Sequence, residues 1–321
     1  AVRQGHSVLL ADIGTLLSGI KTGLLPAGVF HAKSLSPKPD KVEWMKMLKD
    51  RGFLITSMDE EGGLGGSDFS VYTHRRYGEE SLLLADAIFC WGAMESNSLR
   101  RAYGKYAEKI LETGSPRADL WHSEFDGLDS GIEPSGTEPA VLFVSNFRGI
   151  APRTMWEQLS FSLTGGRFST PEPLMRELAD DLKMAIAFSD AMKVVARSTP
   201  GVQVFLKPHP KEDPRVWRKL LEDEASITLL SPGPISPWIR RALAVVHNGS
   251  TVAFEAALRG KPLISFEPFA RSYPGAVANS LGLSANKGEE IAGFVKELLV
   301  GDTKGATSKQ TSIAAEAVSS R

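Results

Sequence analysis

Three short segments of this chain combine residue types at spacings that could do chemistry. In Val245-Val-His-Asn-Gly-Ser-Thr-Val-Ala-Phe-Glu255 an apolar run ends at His247, Gly249 permits a tight turn, and Ser250 and Thr251 open a helix that ends before Gly260. Such a strand, turn and helix N-terminus offers backbone amides, hydroxyls and roughly half a positive charge to an anion. A phosphate or diphosphate is therefore the expected guest of Asn248, Gly249, Ser250 and Thr251. Glu255, one turn on, is placed to accept hydrogen bonds from a ribose. The plainer reading is that Ser250 caps a helix and Glu255 faces water. Asn248-Gly-Ser250 also matches a glycosylation sequon, a coincidence if the chain is cytoplasmic.

The second segment, Val204-Phe-Leu-Lys-Pro-His-Pro210, is a strand stopped by two prolines, each of which holds its predecessor extended. Open α/β sheets bind ligands at the C-terminal edge of their strands. There Lys207 and His209 can converge with Ser250 and Thr251 on one anionic ligand. The third segment, Leu54-Ile-Thr-Ser-Met-Asp-Glu-Glu-Gly-Gly63, sets Asp59, Glu60 and Glu61 between a strand and flexible glycines. Carboxylates this close raise one another's pKa, which favours a general acid or base working near neutrality; a solvated acidic loop weighs equally. Arg117 and Asn146, each following a strand, are cleft candidates as well, although single residues of this kind more often anchor loops.

These segments need elements to position them. In the first half, strands are expected at Ser7 to Leu10, Phe53 to Met58, Ala87 to Cys90 and Lys109 to Thr113, with a weaker one at Gly28 to Phe30. Helices are expected over 41–49 and 95–106. The second half repeats the grammar. Strands fall at Val141 to Ser145, Val202 to Leu206, Ile227 to Leu230, Leu243 to Val246 and Leu263 to Phe266; helices fall near 173–197, 214–221, 251–258 and 289–299. This alternation is that of parallel sheets covered by helices, so the fold class is α/β with two Rossmann-like domains whose sheets face a central cleft. The domains are read as 1–122 and 140–300, joined by a Gly/Ser/Pro-rich linker at 123–139 and followed by a flexible tail at 301–321. Because the chain opens on a helix end followed directly by a strand, the first domain is expected to lack its opening strand. Trp44, Trp91, Trp156 and Trp238 are expected in cores or interfaces.

At 321 residues, 42% of them hydrophobic, the chain can build two real cores. A net charge of −1 lacks the basic excess of a nucleic-acid binder. One cysteine, Cys90, and six histidines without ligand spacing fit a reducing cytoplasm and an enzyme with neither disulfide nor metal. No apolar run reaches the roughly 18 to 20 residues of a membrane helix. Glu61-Gly-Gly-Leu-Gly-Gly66 lacks the Lys-Ser/Thr of a P-loop and the spacing of a dinucleotide turn, which argues against kinase, ATPase and NAD readings.

As an ordered set, His-Pro at 209–210, His-Asn-Gly-Ser-Thr at 247–251 with Glu255, and Gly-Lys-Pro at 260–262 resemble the donor half of GT-B glycosyltransferases. Met-Asp-Glu-Glu-Gly at 58–62, Trp-Gly at 91–92, Thr-Gly-Ser-Pro-Arg-Ala-Asp at 113–119 and Ser-Pro-Trp-Ile at 236–239 narrow this further. Together they are similar to the bacterial surface carbohydrate biosynthesis protein family, related to retaining β-Kdo transferases of lipopolysaccharide and capsule assembly. The resemblance spans residues 7 to 285. It implies metal-independent transfer, without a cofactor, from a nucleotide sugar such as CMP-Kdo to a glycan or glycolipid acceptor, in the cytoplasm or peripherally at the inner face of the membrane. Lys207, His209, Ser250 and Thr251 would hold the donor's phosphate or the sugar's carboxylate, Glu255 its ribose, and Glu60 or Glu61 would move the acceptor's proton. Asn146 stands where a covalent retaining route would call for a carboxylate, so no nucleophile is assigned. The alternatives are a sugar-nucleotide 2-epimerase, a polyol-phosphate transferase of cell-envelope polymer synthesis, and a non-catalytic sugar-nucleotide-binding module.

Overall fold

The computed structural model describes residues 2–60, 69–129, 134, 136–151, 155–164, 170–271 and 277–301. Its first half contains α1 (Ile13–Lys21), β1 (Val29–Ala32), α2 (Pro39–Asp50), β2 (Leu54–Met58), α3 (Phe69–Arg76), α4 (Glu79–Leu84), β3 (Ala87–Cys90), α5 (Ala93–Ala102), β4 (Ile110–Glu112) and α6 (Pro116–Asp119). The four strands are parallel and ordered β1-β2-β3-β4, so each crossover steps the same way. Helix α2 shows why the apolar spacing works: Pro39 suits its first turn, and Val42, Met45 and Leu48, three apart, are its buried residues. Met45 and Leu48 join Leu35, Ile55, Leu82, Ile88, Leu99 and Ile110 in one core.

The strand expected at Ser7 to Leu10 does not form. Val8, Leu9 and Leu10 are exposed, Leu10 by 94%, and no strand pairs with them. Three consecutive apolar residues cannot all face one side of a pleat, and without a partner they carry no ladder. The weaker expectation at 28–30 is a true strand, β1.

The second half contains β5 (Ala140–Val144), α7 (Met155–Thr164), α8 (Pro171–Ser198), β6 (Gln203–Lys207), α9 (Pro214–Leu220), β7 (Ile227–Leu229), α10 (Ser236–Arg241), β8 (Ala244–His247), α11 (Val252–Leu258), β9 (Leu263–Phe266), β10 (Leu283–Ala285) and α12 (Gly288–Leu299). Its six parallel strands run β10-β9-β8-β5-β6-β7. Every residue of β5, β8 and β9 is buried, as expected of strands covered on both faces. Phe143, Phe147, Phe188 and Trp217 interlock beneath α8 at ring separations of 5.3 to 6.5 Å. Two Rossmann-like units with parallel sheets make this a GT-B-like fold. Trp156 departs from its expected place, being 76% exposed on α7. Among the described residues no helix is long and apolar enough to cross a membrane.

The halves share an apolar cluster: Trp91, Ala118 and Trp121 from the first with Ala253, Phe254, Ala256 and Ala257 of α11 from the second. Trp91 and Trp121 meet edge to face at 6.3 Å. Between the sheets, residues Ser123–Asp129 form 3-10 turns, and Asp126 there accepts from Arg259 at 2.7 Å and Arg240 at 3.3 Å. Cys90 is fully buried at the end of β3, and burial pushes its thiol well up from the usual value. We expect no reaction with a thiol reagent in native buffer and one equivalent of reaction in denaturant; fast native labelling would show that β3 opens.

Candidate functional site

In the second sheet the chain reaches β6 and β7 on one side of β5 and β8, β9 and β10 on the other. The exits of β5 and β8 therefore flank a topological switch point, the place where open α/β sheets leave a crevice. The register sets His247, Val144 and Lys207 abreast. The exits of β8 and β6 thus lie about 10 Å apart, two strand spacings, with the exit of β5 between them. The first sheet has no such reversal.

At the β8 exit, Gly249 has φ of 97°, a left-handed conformation that favours glycine, and its amide donates to His247 Nδ1 at 3.2 Å. Ser250 Oγ accepts from the Val252 amide at 3.3 Å, while the Ala253 and Phe254 amides bond to the carbonyls of Ser250 and Thr251. The first-turn donors expected to be open are therefore used within the turn. Within 248–251, only the Gly249 amide has an acceptor among the described residues; the amides of Ser250 and Thr251 do not. The helix they precede has only seven residues, which leaves less dipole than the spacing implied. Asn248 supplies what the helix does not. It is 2% exposed, and neither atom of its side-chain amide has a hydrogen-bond partner among the described residues. A buried amide in that state calls for a ligand or a water. The same burial removes it as a glycan acceptor.

Glu255 is 4% exposed and turned toward Arg259, with Oε1 3.5 Å from Arg259 Nε, so it is not the water-facing residue of the plainer reading. His209, at the β6 exit, accepts the Lys211 amide on Nδ1 at 3.1 Å, which leaves Nε2 as the protonated nitrogen of the neutral ring. Lys207 is only 7% exposed and donates to the Ser231 carbonyl at 2.6 Å, so its ammonium is drawn to the β7 exit. Burial also lowers its pKa. Asn146 is exposed at the β5 exit. Thus His209, Asn146 and residues 248–251 share one edge, with Lys207 behind it.

The acidic segment divides. Asp59 is fully buried and takes a bidentate pair from Arg76, both contacts 2.6 Å, while its backbone carbonyl accepts Trp91 Nε1 at 2.7 Å. Glu60 is exposed and lies 3.7 Å from Lys33. These two carboxylates pair with different cations, Asp59 with Arg76 and Glu60 with Lys33. Glu61 lies outside the described residues, as do the tail residues beyond 301. Arg117 is exposed on α6.

Two buried acids were invisible to spacing arguments. Glu95 accepts Tyr77 Oη at 2.6 Å and the Trp91 amide at 2.8 Å, and burial raises its pKa to about 7. Glu212 accepts from Ser145, Phe147 and Trp217. Glu95 has an opposite number in His247, whose imidazole burial pushes down to about 4. As pH falls from 6.5 through 4, the His247 contribution to stability is lost. As pH rises from 4.5 through 7, the Glu95 contribution is lost. Between 4.5 and 6.5 the two slopes oppose each other. His247→Gln should therefore tilt the unfolding free energy from urea titration downward with rising pH relative to wild type, by at most about 1.4 kcal/mol per pH unit. Parallel curves from pH 5 to 6.5 would contradict this.

No protein-family model matches the chain, and no curated protein matches it. Solved structures do. A putative UDP-N-acetylglucosamine 2-epimerase from Listeria monocytogenes superposes with a TM-score of 0.55 at 14% identity, over 97% of this chain and 79% of that one. The UDP-GlcNAc 2-epimerase from Neisseria meningitidis, bound to UDP-GlcNAc, gives 0.55 at 12% identity over 95% and 77%. The wall teichoic acid polymerase TagF gives 0.52 at 12% identity over 90% and 65%. At these identities the likeness is one of fold.

Proposed function

We propose that the protein is an enzyme acting on a nucleotide-activated sugar, transferring the sugar to a surface glycan or glycolipid. The observation that carries this reading is the unpartnered, buried Asn248 amide beside the Ser250 and Thr251 amides at the switch point. Those groups suit the phosphates of a nucleotide, and they would stabilise the charge that develops as the nucleotide departs. Nε2 of His209 can donate to the same anion from the β6 exit, across Asn146. Lys207, held by Ser231, adds positive charge at longer range, and Glu255 lies close enough in sequence to serve the ribose once its contact with Arg259 loosens. Glu60 or Glu61 would take the acceptor's proton. Within this class, CMP-Kdo as donor, capsule or lipopolysaccharide as destination and work at the cytoplasmic face of the membrane follow from the motif resemblance. Domain limits near 123–139 belong to the same reading.

A second reading, 2-epimerisation of a sugar nucleotide, is favoured by the extent of the likeness to the two epimerases; polyol-phosphate transfer draws on the likeness to TagF. Incubation with CMP-, UDP-, CDP- and GDP-activated donors separates the three. Nucleotide release that requires a glycan acceptor supports sugar transfer, and acceptor-free interconversion of a UDP-sugar supports epimerisation. Release from CDP-glycerol alone supports polyol-phosphate transfer. No turnover of any donor, with normal nucleotide binding, would leave a binding module.

A further inference from the structure

Glu212 has no part in the donor contacts proposed for this edge, yet it is tied to Ser145 and Phe147 at the β5 exit and to His209 at the β6 exit. It is 6% exposed and sits two residues past Pro210, in the loop that leads into α9. One carboxylate oxygen accepts Ser145 Oγ at 2.6 Å and Trp217 Nε1 at 2.8 Å; the other accepts the Phe147 amide at 2.5 Å. Its own amide donates to the His209 carbonyl at 2.9 Å. The next residue, Asp213, donates its amide to the Ile150 carbonyl, and Ser145 donates its amide to the Lys207 carbonyl. Two strand exits are thereby stitched into one corner. Asn146 is gripped on both sides, at Ser145 and at Phe147, and is left exposed between them. Burial raises the Glu212 pKa, against the pull of these donors.

We propose that Glu212 is the positioning residue of the nucleotide site, holding Asn146 and His209 at a fixed separation in front of the ligand. Three donors converging on one buried carboxylate, from residues 65 and 67 positions upstream and five downstream, over-determine the corner, as a preorganised site requires. The inference rests on the donor-site reading of the same edge.

The test is calorimetric titration with UDP, CDP and CMP of wild type, Glu212→Gln and Ser145→Ala. A carboxamide keeps the shape but accepts at one atom only, so it must give up either the Phe147 amide or the Ser145 and Trp217 donors. Glu212→Gln should lose about tenfold in affinity for the best nucleotide, and Ser145→Ala, which deletes a single donor, about threefold. A loop brace alone would not respond to ligand. The Trp217 indole N–H resonance, identified by its loss in Trp217→Phe, should therefore shift at nucleotide saturation. If Glu212→Gln does not fold, Ser145→Ala and the resonance decide. Unchanged affinity in the folded variants, or an unmoved Trp217 resonance, overturns the inference and leaves the donor site standing. Failure of wild type to bind any of the three nucleotides overturns both.

Discussion

Replacing Asn248 with leucine is expected to stabilise the fold and to weaken nucleotide binding about a hundredfold in the same variant. The two effects share one cause. Both polar atoms of the amide are buried without a partner among the described residues, and such burial costs about 1 to 3 kcal/mol. Leucine has nearly the same shape and no polar atom to satisfy, so a gain of about 1 to 2 kcal/mol in unfolding free energy is expected by urea titration. In the liganded protein the amide would bond a charged phosphate, and each such bond is worth about 1.5 to 3 kcal/mol. Losing it should weaken nucleotide affinity about a hundredfold by calorimetry. A variant that is less stable but binds as before would show that the amide already serves the fold.

Asp59→Ala should have the largest effect on stability. The buried carboxylate meets Arg76 through two short contacts, and the Arg76 side chain is 19% exposed. Removing one member of a buried pair costs about 3 to 5 kcal/mol. Partial exposure of Arg76 places the expectation near about 3 kcal/mol in a denaturant midpoint measured against wild type. Asp59→Ala combined with Arg76→Ala should recover part of the loss, since it removes both members of the pair. Glu60→Gln, at an exposed site, should leave stability within about 0.5 kcal/mol and affect turnover alone. Equal losses in Asp59→Ala and Glu60→Gln would contradict this division of labour within one acidic run.

The strand and helix grammar was legible wherever an element is buried on a regular face. Strands β5, β8 and β9 are fully buried runs, and Val42, Met45 and Leu48 mark α2 from spacing alone. Reading failed where apolar content had no partner, as at Val8 to Leu10 and Trp156, and where an element was too short to show a period, as in three-residue β10. The turn at Gly249 was legible because its backbone conformation depends on residue type. Glu212, Glu95 and the Asp59–Arg76 pair were not, because their roles are created by partners that only the fold brings near. No local pattern distinguishes Glu212 from any other acid next to a proline turn; its distinction lies in Ser145 and Phe147, some 65 residues upstream.

The central place of β5 also bears on how the protein emerges from the ribosome. Its first residues pair with β6 about sixty positions later, but Val141 meets Ala244 of β8 only after more than a hundred. During vectorial synthesis the corner held by Glu212 can assemble while one long edge of β5, rich in Val, Leu and Phe, still lacks its neighbour. That bare edge is a ready template for a wrong strand until β8 arrives. The last strand needed to cover it is the one that delivers Asn248, so completion of the sheet and creation of the anion-ready turn are a single late event. A nascent chain stalled before residue 240 would carry an ordered half-site that attracts chaperones rather than nucleotides.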